Sequence, residues 1–109
     1  MLVKTSLILT QLQLNKIMMT VNEKENKMTS TIKLKLDEIN YRITSIMSSY
    51  SENMKLRDST YKNVIITVFT EPFFNSDISI ITDYETLQML YVWTGPMRYM
   101  EIDDFFKKS

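Results

Sequence analysis

Carboxylates, lysines, tyrosines and hydroxyls are the groups with which this chain could do chemistry, because it contains neither histidine nor cysteine. Without histidine the commonest general base and transition-metal ligand is missing, and without cysteine there is no thiol nucleophile, disulfide or Cys-containing zinc site. No Ser-His or Cys-His pair can form, which argues strongly against nucleophilic acyl transfer. A carboxylate and lysine set could hold Mg²⁺ and orient water. Glu25-Asn26-Lys27 supplies a Glu-x-Lys, but no upstream aspartate completes it and it lies in a polar run. Glu101, Asp103 and Asp104 gather at the other end of the chain with no Asp-x-Asp-x-Asp-Gly loop around them, and read as a solvated acidic end.

The single glycine, Gly95, removes further classes. A phosphate-cradling loop and a dinucleotide fingerprint each need two or more glycines at fixed spacing, and a Gly-x-Ser-x-Gly elbow needs two. No catalytic residue, cofactor or metal is expected, and the chain reads as a non-enzymatic protein that works through its surfaces.

The elements that would shape those surfaces come from the hydrophobic pattern. Ile32, Leu36, Ile39, Ile43, Ile46, Tyr50 and Met54 recur at steps of four and three, which predicts an amphipathic helix from about residue 30 to 56. Such a helix of about 25 residues is about 37 Å long, and its overhang offers a seam for a homodimer or scaffold. Alternation through Ile32-Lys33-Leu34-Lys35-Leu36 allows a strand there instead.

Asn63 to Thr70 is β-branched and aromatic and ends before Pro72, so it predicts a buried strand. Ile78-Ser79-Ile80-Ile81 predicts a second, joined to the first by a hairpin around 71–77. Thr82-Asp83-Tyr84-Glu85 matches a capping box and predicts a helix over 83–93, ended by Gly95 in the left-handed region and Pro96. The tail from Met97 holds either a third strand to Ile102 or a short helix with Asp103-Asp104 near its start.

Residues 22–30 are polar and predict a linker, so residues 1–28 read as an extension, with an amphipathic helix or a strand through Leu7 and Leu9, and 29–109 as one domain. The apolar run at Leu7-Ile8-Leu9 is too short for a membrane span or a signal peptide. The expected class is α+β: a small antiparallel sheet packed against a long amphipathic helix plus a shorter capped helix, with an all-α bundle as the alternative.

Partners follow from charge and aromatics. Residues 1–62 carry ten Lys/Arg against six Asp/Glu, and residues 63–109 three against seven, so the halves are +4 and −4 around a net charge of zero. That dipole is too small to drive nucleic-acid binding, and the basic residues of the first half make no single helical stripe. Phe73 and Phe74 fall in a turn between two strands, where adjacent rings cannot both face inward, and with Trp93 they are candidate anchors for a protein partner. Alanine is absent and proline scarce, while Ile, Lys, Asn, Tyr, Phe and Met abound, a codon bias of AT-rich genomes. Absent sequons and cysteines favour a cytoplasmic location, the host interior if the source is a phage or virus. The expected function is that of a small accessory protein of a phage, virus or other mobile element that binds and inhibits or adapts a host or viral protein. Self-assembly through the Ile32 to Met54 seam and weak nucleic-acid binding are the alternatives.

Overall fold

A computed structural model describes residues 19–107. The expectations for the first 18 residues, including the strand through Leu7 and Leu9, lie outside them. Helix α1 (Val21–Glu38) is followed by strands β1 (Ser45–Lys55), β2 (Tyr61–Glu71), β3 (Ser76–Asp83), β4 (Met89–Gly95) and β5 (Arg98–Met100), then by the short helix α2 (Ile102–Phe105). The strands form one antiparallel sheet in the order β1-β2-β3-β4-β5, each beside its neighbour in sequence. The α+β class holds, and the bundle does not.

Helix α1 starts and stops on side chains and backbone. The Thr20 hydroxyl accepts from the Glu23 amide at 3.1 Å, filling one of the donors that a helix start leaves open. At the other end the Tyr41 amide donates to the Leu36 carbonyl at 2.9 Å and the Asn40 amide to Asp37 at 3.0 Å, with Asn40 at φ 57. This is a Schellman ending with asparagine in the left-handed position. It stops the helix after 18 residues, well short of residue 56.

The polar run 22–30, expected as a linker, is therefore the first half of α1. The helix buries Lys24, Met28, Ile32 and Leu36, one residue per turn. Lys24 lies in the inward seam because its stem covers apolar surface while its ammonium donates to the Tyr84 carbonyl at 2.8 Å and sits 3.9 Å from the Tyr84 ring centroid.

Met28, Ile32 and Leu36 pack on Ile65 and Phe69 of β2, Ile80 of β3 and Val92 of β4. Tyr41, Phe105 and Phe106 close one end of this layer, with Tyr41 edge-on to Phe69 at 5.7 Å. Alternation puts Val64, Ile66 and Val68 on the opposite face, where Val64 is buried with Leu56, Ile81 and Tyr91. The expected strands at 64–70 and 78–81 are thus β2 and β3, and the hairpin between them is present.

Of the helix expected over 30–56 only residues 30–38 are helical, as the end of α1, and the helix expected over 83–93 is absent. Residues 45–55 form β1, with Ile46 and Tyr50 on the α1 side of the sheet, so the expected seam does not exist as a surface. Ile32 and Leu36 are fully buried in the core, Ile39 caps α1, and Ile43 and Ile46 pack against the same core from a loop and from β1. The helix expected over 83–93 is the β3–β4 connection followed by β4. Thr82 does not cap it: it pairs with Ile65 and Met89 inside the sheet. Asp83 takes the capping role one residue later, its carboxylate accepting from the Glu85 amide at 2.8 Å and the Thr86 amide at 3.3 Å. Gly95 is not left-handed; Met97 is, at φ 62, in the turn that Pro96 opens toward β5. The tail holds both expected forms in succession, β5 and then α2.

Two predictions follow from this junction. The Thr82 hydroxyl is buried with no hydrogen-bond partner among the described residues; replacing it with a methyl removes an unsatisfied group without opening space. Thr82→Val is expected to raise stability by about 1 kcal/mol in urea denaturation. Asp83 is pushed up by burial, but the Lys62 ammonium at 3.1 Å and the two amides outweigh this and hold its pKa below the ordinary carboxylate value. Because the folded-state pKa is the lower one, its stabilisation is complete above about pH 4 and disappears as pH falls through the folded value. Asp83→Asn is therefore expected to lower stability by about 1 kcal/mol at pH 7, with the gap between variant and wild-type melting temperatures closing as the pH falls below the ordinary carboxylate range.

Candidate protein-binding surface

The hairpin tips at one end of the sheet carry the most exposed apolar side chains. In a meander, alternate connections fall at the same end, so the β2–β3 and β4–β5 turns lie side by side, about 10 Å apart across the strands. Phe73 and Phe74 in the first are 85% and 84% exposed, and Met97 in the second is 91% exposed. Each turn has a proline before its exposed residues, Pro72 and Pro96, which fixes φ and limits the ways the chain can turn.

The first tip is held from within. Both carboxylate oxygens of Glu71 accept backbone amides, from Phe73 at 2.7 Å and Phe74 at 2.8 Å. Asn75 takes the left-handed conformation at φ 50 and returns the chain to β3. Thr70 and Asp77, paired across the hairpin, are linked by a 2.7 Å hydrogen bond from the Thr70 hydroxyl. The phenyl rings are thus displayed on a backbone whose donors are satisfied, and neither ring is needed by the core.

Trp93 is elsewhere. It lies on the sheet face opposite α1, level with Ser79, about 15 Å along the strands from the tip. There it joins a row that crosses all five strands: Met47, Val68, Ser79, Trp93 and Tyr99. Met47, Trp93 and Tyr99 are exposed. Tyr99 stands edge-on to Tyr91 at 5.2 Å, and the Arg57 guanidinium lies over both rings while pairing with Glu101. That ion pair raises the Arg57 pKa further above its ordinary value.

The structure places Phe73, Phe74 and Met97 in turns at the same end of the sheet and Trp93 on the sheet face below it. Met97, Glu71, Met47 and Tyr99 were not singled out from the sequence. The signal for Met97 was Pro96, which favours a turn with a left-handed residue after it; for Glu71 it was an acidic residue two positions before a turn amide, the geometry of an Asx turn extended by one methylene.

The acidic residues of the tail do not converge. Glu101 pairs with Arg57, and Asp103 and Asp104 sit in the first turn of α2, where a helix start favours negative charge. Among the described residues no three Asp or Glu gather as a metal site. Glu25 does not meet Lys27 in a site either, since its carboxylate accepts the Tyr50 amide at 2.8 Å. Among the described residues no helix is long and apolar enough to cross a membrane.

No protein-family model matches the chain, and no curated protein or solved structure matches it.

The tip makes a paired prediction. Phe73→Ser/Phe74→Ser is expected to change stability by less than about 0.5 kcal/mol, because both rings are already in water. Glu71→Ala, which strips the acceptor from two amides, is expected to cost about 1 kcal/mol. Urea denaturation of the two variants checks both, and the reverse order would show that the rings belong to the core.

Proposed function

We propose that this chain is a small non-enzymatic accessory protein that binds a protein partner through the Phe73-Phe74 tip, with Met97 beside it, and inhibits or adapts that partner inside a cell. The observation that carries the reading is the pair of adjacent, exposed phenylalanines on a loop whose amides are both held by one carboxylate. Large apolar side chains kept in water on an ordered loop are what an apolar pocket on a partner can take up at little entropic cost, each worth about 1.5–3 kcal/mol when fully buried. The AT-rich residue usage supports a source in a phage, virus or other mobile element, whose partner is then a host or viral protein.

The test uses the full chain as bait against extract of its host, followed by affinity measurement on the purified partner. Phe73→Ala/Phe74→Ala is expected to weaken binding about 100-fold or more, the scale of losing two buried anchors. A partner held equally well by the double variant contradicts the reading.

A further inference from the structure

The outer edge of β1 points to a second surface, independent of the hairpin tips. Among the described residues nothing pairs with that edge, although β1 is 11 residues long. The opposite edge of the sheet is β5, only three residues long and followed at once by α2. Exposed edges are usually guarded by charge, proline, a bulge or a covering element. From Ser45 to Ser51, β1 has no charged residue and no proline, and its bulge comes only after Ser51.

Which edge groups are free follows from one hydrogen bond. The Tyr50 amide donates to Glu25 of α1 rather than to β2, so it faces off the sheet. In an antiparallel strand this direction alternates, so Ile46 and Ser48 also present their backbone groups outward, while Tyr50 is already occupied. Met47 between them is 68% exposed, on the face away from α1.

We propose that β1 pairs antiparallel with β1 of a second copy of this chain about a twofold axis at Met47, continuing the sheet across a homodimer. Ile46 and Ser48 of one copy then exchange backbone hydrogen bonds with Ser48 and Ile46 of the other, and the Tyr50–Glu25 bond stays intact. The two Met47 residues meet as a non-hydrogen-bonded pair with Cα atoms about 4.5 Å apart. Hydrogen bonding selects this register: Ile46 and Ser48 are the two free outward positions of the uncharged stretch, and an axis midway between them pairs each with the other while Tyr50 keeps Glu25. A pairing of about seven residues runs about 23 Å and covers less than the roughly 800 Å² per partner of a standard interface. The dimer is therefore weak and concentration-dependent.

The absence of native cysteine makes the test direct. In the full chain at about 100 µM, Met47→Cys is expected to cross-link to a disulfide dimer under mild oxidation, because about 4.5 Å between Cα atoms suits a disulfide. Ser49→Cys, which faces Ser45 of the other copy in this register, is expected to cross-link several-fold less. Met47→Lys sets two like charges face to face at an exposed site; it is expected to keep the wild-type circular dichroism and to sediment as a monomer at concentrations where the wild type gains mass. Phe73→Ala/Phe74→Ala is expected to leave the dimer unchanged, which separates this surface from the tip. Wild-type protein monomeric at 1 mM on the scale where weak interfaces associate, equal cross-linking at both cysteine positions, or a Met47→Lys variant that still dimerises overturns the proposal.

Discussion

The rest of the structure hangs on β2 being apolar on both faces. Ile65 and Phe69 meet α1, while Val64, Ile66 and Val68 point the other way. A strand of this kind must lie inside a sheet, and it does, with β1 and β3 on its flanks. The chain supplies one main helix to the described region, so one face is covered along its length and the other mainly where Leu56 folds over Val64, Ile81 and Tyr91. Beyond it, that face carries the row from Met47 to Tyr99, apolar or aromatic except for Ser79, and then the polar Ser45, Thr70 and Asp77 nearer the hairpin tip.

Polar groups inside the helix–sheet layer fix how α1 sits on it. The Thr29 hydroxyl donates to Ser48 at 2.7 Å, and Ser48 and Thr67 are joined at 2.7 Å, a chain from helix to β1 to β2. Lys24 on Tyr84 and Glu25 on Tyr50 add two more fixed points near the start of the helix. Buried or half-buried hydroxyls and charges that are satisfied only in one arrangement specify register, whereas the apolar contacts alone would tolerate sliding. The turns show a different consequence of composition. Among the described residues six other than glycine have positive φ: Asn40, Asn53, Ser59, Asn75, Leu87 and Met97. Asparagine tolerates that region best, and it holds three of the six. With one glycine in the chain, the backbone bends at asparagines and accepts some strain at Leu87 and Met97.

The parts legible in the sequence were those whose pattern admits one period. Asn63 to Thr70 is too rich in β-branched residues for a helix, and Ile78 to Ile81 has turn residues before it, so both strands and their hairpin could be read. Ile46 and Tyr50 are four apart, a spacing that places residues on one side of a helix and equally on one face of a strand. What separates the two is the four serines among Ser45 to Ser51, poor helix formers, and Asn40, which ends α1. The first half of α1 was hidden because its inward position is Lys24 rather than an apolar residue. Two Thr-x-x-Glu matches show the limit of a local motif: Thr20-Val21-Asn22-Glu23 caps a helix that has helix-forming residues behind it, whereas Thr82-Asp83-Tyr84-Glu85 is followed by Tyr91-Val92-Trp93, and the sheet claims them. For the surface, exposure of Phe73 and Phe74 was readable from their place in a turn, but the company of Met97 needs the meander, which sets two non-adjacent turns side by side.

The tip unites these strands of the account, since it is both the most apolar exposed feature and one of the better satisfied loops. An anchor that is exposed and already ordered binds without the entropy cost of fixing a mobile loop. Backbone ¹⁵N relaxation of the free protein tests this most directly. Order parameters at Phe73 and Phe74 close to those of β2 and β3, about 0.8 or above, are the expected result. Values below about 0.6 at these two amides would contradict a tip held by Glu71 and, with it, the view of Phe73-Phe74 as a preformed anchor.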